Sequence, residues 1–347
     1  PLVLVDATSD SPLPGLPPAA AELVRQTSGA GGTVTLLGVN GAGAAPVVVL
    51  DRASLADPSA GSARARRISS LAPACLEQQF ARATPTATGS DQLRALQEVA
   101  RRTPAEGTAL VLSNGISTAG VLDMTRLPVL AVDAEAVAEA VPAAELPQGA
   151  GRTLTFYGLG ETSPPLSQTA RTWVADVVVA LCERSGATCR RDDAVGRLAD
   201  AAGLAAAPED GRVPWPEPAT VQLPDGATRT DVPAELLFAF GSAELSPDAA
   251  AVLAAVAADL RGARSLEVVG HTDSACPVDP QVCADLSLRR AQAVAGLLRA
   301  QAWEGPVPAV EVRGVGPAEP LVADRGADGE LIPAAAARNR RVSVTAR

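Results

Sequence analysis

Asp273 and Arg290 are the residues whose types and spacing most directly suggest chemistry. Asp273 closes a polar turn, His271-Thr272-Asp273, that follows an apolar strand ending at Gly270. Arg290 falls on a helix that the pattern starts at Leu286-Ser287, on the same line as Val294 and Leu297. A guanidinium on the core-facing stripe of a helix needs an acceptor, because an unpaired buried charge is costly. Two arrangements answer that need. Asp273 and Arg290 form an internal salt bridge, or they jointly receive a ligand that carries both an ammonium and a carboxylate.

Other reactive constellations are scarce. The chain has one histidine, His271, so a multi-histidine metal centre is excluded and any Cys-His or Ser-His-Asp site must use that residue. Its neighbour Cys276 would be the thiol partner, and a disulfide to Cys283 would remove it. There are five cysteines. Cys182 and Cys189 flank a short turn, as do Cys276 and Cys283, and such local pairs suit disulfides in an oxidising compartment. Cys75 is left over and is expected to be a buried free thiol.

The 347 residues suggest two domains, and 47% apolar content is enough to bury cores in both. The formal net charge of −10, with scattered arginines, argues against a nucleic-acid partner, which needs a concentrated basic face. No apolar run approaches the ~18–20 residues needed to span a bilayer, and no signal peptide is visible. The abrupt start at Pro1 suggests a mature form of a longer, extracytoplasmic precursor, with any membrane anchor upstream.

Residues 1–204 alternate strands and helices. Strands are expected at Leu2–Val5, Thr33–Val39, Val47–Leu50, Ala109–Leu112, Leu127–Val132 and Thr153–Tyr157. Helices are expected at Pro17–Gln26, Arg64–Leu71, Asp91–Arg102, Asp133–Val141 and Leu166–Arg184. Uniformly apolar strands in this order imply an α/β domain, a Rossmann-like parallel sheet covered on both faces. Polar residues gather where such a sheet places its site: Asp6, Thr8 and Asp10 after the first strand, Ser90-Asp91 before a helix, and Asn114 after the central strand. No G-x-G-x-x-G follows the first strand, so a dinucleotide site is not expected.

On those residues the domain resembles the von Willebrand factor A family. Asp6-x-Thr8-x-Asp10 stands for that family's metal loop, Ser90 for its second loop, and Asn114-Gly115 for its Asp-Gly. The resemblance implies a domain that binds another envelope protein or a ligand, with Mg²⁺ or Ca²⁺ at the Asp6/Thr8/Asp10 loop. The alternative is that the same side chains cap helices and close turns.

A Pro-rich linker is expected over 205–224, with Pro208, Pro214, Pro216 and Pro218. Residues 225–347 then read as strand Glu235–Phe240, helix Pro247–Arg261, strand Leu266–Gly270, the Arg290 helix, and strands Val310–Arg313 and Arg341–Thr345. That is a β-α-β-α-β-β, α+β domain. Phe240-Gly241-Ser242-Ala243-x-Leu245, the Gly270–Asp273 turn, Leu286-Ser287-x-x-Arg290-Ala291, Gly314-x-Gly316 and Arg338-Asn339-Arg340-Arg341-Val342 together resemble the OmpA-like peptidoglycan-binding domain. The resemblance implies a non-catalytic cell-envelope protein that grips the diaminopimelate of the peptidoglycan stem peptide. Asp273 would meet the ammonium and Arg290 the carboxylate, with Arg340 and the loop at Gly241 lining the pocket. Arg suits this role because its fork holds a carboxylate bidentately. Cys283 stands where that family has an Asn. The competing readings are a cell-wall hydrolase, and a metal-dependent adhesion or receptor module for which wall binding is only a tether.

Overall fold

A run of four apolar residues with no polar interruption makes β1 (Leu2–Val5), every residue of which is buried in the computed structural model. The structure describes residues 1–8, 14–57, 59, 61–194, 208, 210–239, 241–275, 280–301, 303 and 308–347. These fall into two compact units. One comprises Pro1–Arg126, Ala134–Leu166 and Ala170–Val213, and the other Leu127–Asp133, Ser167–Thr169 and Pro214–Arg347.

In the first unit β1 is followed by α1 (Pro18–Gly29), β2 (Thr33–Gly38), β3 (Val47–Ser54), α2 (Ser62–Glu77), α3 (Gln92–Arg102), β4 (Thr108–Leu112), α4 (Ala134–Ala140), β5 (Thr153–Tyr157), α5 (Gln168–Arg184) and β6 (Thr188–Asp192). The sheet order is β3-β2-β1-β4-β5-β6. Only β3 runs antiparallel. Side chains alternate across β1: Val3 and Val5 join the core under α1 and α2, while Leu2 and Leu4 join the one under α3 and α5. A sheet covered on both faces follows from that apolar run.

Several expectations need correction. The expected all-parallel sheet is mixed, because β3 returns antiparallel from β2. The polar strand β6, TCRRD, was not expected; as an edge strand it has little apolar pattern to show. A disulfide ties its Cys189 to Cys182 on α5, with Cα atoms 6.1 Å apart. Leu127–Val132 is no strand but a turn, where Pro128 interrupts the run and Leu130 takes a left-handed φ of 64°. Cys75 is free but exposed on α2, not buried. Asp10 and residues 205–207 and 209 of the expected linker lie outside the described residues.

The second unit holds β7 (Ala219–Gln222), β8 (Thr228–Pro233), α6 (Ala234–Leu237), α7 (Ala249–Asp259), β9 (Ser265–Gly270), α8 (Pro280–Ala300), β10 (Ala309–Gly314), α9 (Pro333–Asn339) and β11 (Arg341–Ala346). Its sheet order is β10-β9-β11-β8-β7, with β10 parallel to β9 and the other pairs antiparallel. Leu253, Val256 and Leu260 of α7 and its C-cap meet Ala291, Val294 and Leu298 of α8 over Leu266, Val268, Val342 and Val344 of the sheet. The expected opening strand at Glu235–Phe240 is instead a helical turn, and the strand lies just upstream as β8. A five-residue apolar run, Leu236 to Phe240, fits either state, and Pro233 ends the ladder before it. α8 begins at Pro280, not at Leu286. Ser287 is therefore two turns inside the helix and offers no helix-terminal dipole to a ligand. Among the described residues no helix is long and apolar enough to cross a membrane.

Candidate functional site

The turn after β9 is fixed from three sides. His271 N–H donates to Arg341 O at 2.9 Å, Thr272 N–H to Gly316 O at 2.9 Å, and Val315 N–H to Gly270 O at 3.1 Å. Ser287 Oγ accepts from Gly316 N–H at 3.0 Å and donates to Ala284 O at 2.8 Å, joining α8 to the same corner. Asp273 is thereby held at the mouth of β9. It is only 8% exposed. Its Oδ1 accepts from Ala275 N–H at 3.1 Å, an Asx turn, and its Oδ2 is paired with Arg340 Nη1.

The partner of Asp273 is thus Arg340, not Arg290. Arg340 also donates through Nε to Glu235 Oε1 at 3.0 Å. Arg290 spends its Nε on Ser242 O at 2.8 Å and lays its guanidinium over the Phe238 ring at 5.3 Å. Among the described residues neither Nη of Arg290 makes a hydrogen bond or an ion pair. Gly241 begins the turn that presents the Ser242 carbonyl, and its φ of 66° suits glycine. The four sequence-predicted residues Asp273, Arg290, Arg340 and Gly241 therefore come together at one end of the sheet.

Burial and pairing compete across the cluster. Burial lowers the Arg290 pKa, with Glu235 and Asp273 opposing and Arg340 reinforcing that shift. Burial also works against the Arg340 charge, but Glu235 and Asp273 outweigh it and its pKa goes up. Burial pushes the Glu235 carboxyl up despite Arg340 beside it. Glu235 and Phe238 were not legible as site residues, because the run that carries them reads as a strand.

A second buried network stands behind the turn. Ser343 Oγ donates to Asp231 Oδ1 at 2.6 Å, so His271 Nε2, 3.2 Å from the same hydroxyl, must be the donor to it. His271 Nδ1 then has no partner among the described residues. Burial first, and Arg341 next, push the His271 pKa down to about 4. Asp231 receives Arg229 at 3.1 Å and Arg341 at 3.5 Å. Asn339, fully buried, accepts from Leu321 and Val322 N–H and donates to Val322 O and Asp324. Cys283 is disulfide-bonded; Cys276, expected as its partner, lies outside the described residues.

In the first unit Asp6 and Ser113 follow the adjacent strands β1 and β4, where the sheet order turns. Asp6 is fully buried. Its Oδ1 accepts from the Thr8 hydroxyl at 2.8 Å and the Thr8 N–H at 3.2 Å, and its Oδ2 from Gln92 at 2.7 Å and Ser113 at 2.9 Å. Ser90 Oγ donates to Ile116 O, Asn114 Oδ1 accepts from Ile116 N–H, and Asp91 caps α3 through Arg94 N–H. Both Asp6 oxygens are taken twice by donors of the chain, an arrangement that closes the turns around it, and Asp10, the other carboxylate of the expected Mg²⁺ or Ca²⁺ loop, lies outside the described residues. Among the described residues no three His, Cys, Asp or Glu side chains gather to hold a metal.

Residues 237–331 match the OmpA family and form an OmpA domain. Asp273 and Arg290 fall inside the matched stretch, and Glu235 and Arg340 outside it. Among solved structures, the cell wall anchor of the T6SS from Pseudomonas aeruginosa is 28% identical over 37% of this chain and 86% of its own, with a TM-score of 0.30. A MotB-like protein from Desulfovibrio vulgaris is 27% identical over 38% of this chain and 82% of its own, also at 0.30. The peptidoglycan-associated lipoprotein from Burkholderia pseudomallei is 21% identical over 32% and 88%, at 0.25. No curated protein matches the chain.

Proposed function

We propose that this is a non-catalytic, extracytoplasmic envelope protein that binds peptidoglycan through the diaminopimelate of the stem peptide. The observation that carries the reading is the Arg290 fork, whose Nη atoms have no partner among the described residues, within electrostatic range of the Asp273 carboxylate in an OmpA domain. The fork would take the ligand's carboxylate as a bidentate pair. Asp273 would take the ammonium, sharing its charge with Arg340. The disulfide between Cys182 and Cys189 supports an oxidising compartment.

The first unit would then be the displayed part of the molecule, binding another envelope protein. Its strand order and antiparallel β3 support a von Willebrand factor A-like domain. The hydrolase reading finds no support in the Asp231–Ser343–His271 cluster. There the hydroxyl proton goes to the carboxylate rather than to the imidazole, and all three residues are buried.

Pelleting with purified sacculi tests the assignment. The protein should co-sediment without releasing soluble muropeptides. Arg290→Ala and Asp273→Ala should each weaken co-sedimentation by at least tenfold, with an unchanged circular dichroism spectrum, as expected when one partner of a buried charge contact is removed. Undiminished pelleting of both variants would sink the assignment, and muropeptide release would overturn the non-catalytic part of it.

A further inference from the structure

Asp273 and Arg290 alone would be enough to read one ammonium and one carboxylate, yet the pocket holds a second acid and a second base. Glu235 has a side chain only 8% exposed and meets Arg340 Nε at 3.0 Å. Arg340, 21% exposed, reaches on to Asp273. Arg290 lies within electrostatic range of all three. The four charges cancel. Glu235 enters from α6, which neither Asp273 nor Arg290 belongs to, and among the described residues its side chain pairs with Arg340 and not with the turn after β9.

Charge balance in a desolvated pocket decides which ligands enter without leaving an unpaired charge behind. Without Glu235 the pocket would carry one net positive charge and would favour any carboxylate. With Glu235 it is neutral. A zwitterionic head enters and leaves it neutral, while a plain carboxylate brings an uncompensated negative charge. Discrimination of this kind rests on a built-in penalty for the wrong ligand as much as on contacts to the right one.

We infer that Glu235 is a specificity-determining residue: by offsetting Arg340 it makes the pocket select a zwitterionic amino-acid head over a simple carboxylate. The inference rests on the peptidoglycan-binding reading above. Glu235 acts through Arg340 and needs no contact with the ligand.

The test uses the full chain bound to sacculi, with diaminopimelate and pimelate, the same chain without amino groups, as soluble competitors. Diaminopimelate should release the wild-type protein at a concentration at least tenfold below that of pimelate. In Glu235→Gln the gap should narrow at least tenfold, through a gain for pimelate. Glu235→Asp, which keeps the charge, should keep the gap, and the double variant Glu235→Gln with Arg340→Gln, neutral again, should restore it. Arg340→Gln alone should widen it, which keeps the idea exposed even if Glu235→Gln does not fold. A wild-type gap in Glu235→Gln, or narrowing only through loss of diaminopimelate, overturns the inference. Wild-type protein that pellets but is released by neither compound overturns the diaminopimelate reading as well, independently of any Glu235 variant.

Discussion

Gly270→Ala is expected to destabilise the second unit by about 3 kcal/mol, the upper part of the range for overpacking, and to release the protein from sacculi. A Cβ at position 270 would lie 1.9 Å from the Ser287 carbonyl oxygen and 2.7 Å from its carbon. These are backbone atoms in the middle of α8, which no rotamer change can move aside. Gly314, paired with Gly270 in register, makes the same approach: a Cβ there would lie 2.3 Å from Leu288 N. The two glycines form a flat seat on which α8 rests, less than one turn before Arg290. Lifting the helix off that seat separates Arg290 from Asp273, so stability and binding should fall together. Gly296→Ala on the same helix is the control. It is exposed, with nothing within 4 Å of an added Cβ, and should gain about 0.5–1 kcal/mol from helix propensity. Urea unfolding of the two variants checks this, and equal behaviour would refute it.

The second large effect is acid destabilisation through His271. Its pKa is held down to about 4 in the folded state, against 6.5 for the free side chain. As pH falls below about 6.5 the unfolded chain takes up a proton that the folded one refuses until about 4. Stability is therefore lost between those two values and is flat below them. At ~1.4 kcal/mol per pH unit the full loss is about 3–3.5 kcal/mol, most of it incurred by pH 4.5. Glu235 works in the opposite sense, since its raised pKa lets the folded state protonate first and recover stability on acidification. Comparing wild type with His271→Gln in urea at pH 7 and pH 4.5 isolates the histidine. The pH-dependent loss should shrink by about 2 kcal/mol in the variant, and an undiminished loss would show that His271 is not its source.

The parts of the site that sequence made legible are those written as local grammar. Gly270 before a polar turn, Arg290 on an apolar helical stripe and the Asn339-Arg340-Arg341 run all announce themselves within a few residues. The link between Asp273 and Arg340 does not, because it joins positions 67 residues apart and arises only when β11 pairs beside β9. Glu235 was hidden for another reason: a short apolar run has no period long enough to separate strand from helical turn. The same limit produced the false strand at Leu127–Val132. In the first unit the apolar strands were readable, while β6 was not, because an edge strand is free to be polar. Asp6 is legible as a residue, but its two candidate roles, metal loop and turn closure, are not separated by sequence, which shows its oxygens and not the donors around them.

The stacking of Arg290 on Phe238, in a chain with four phenylalanines, has a consequence for the medium in which the protein works. Mobile ions weaken attraction between exposed charges over distances beyond about 8 Å at physiological ionic strength, and they do little to contacts sealed from water. Arg290 and Asp273 are 5% and 8% exposed, and the cluster around them has no net charge to screen. Attachment by this pocket, as proposed, would not draw on long-range attraction, which a chain of net charge −10 could not offer an anionic surface in any case. On the proposed reading, a grip of this kind would hold in dilute and concentrated surroundings alike, a useful property where the cell does not set the salt.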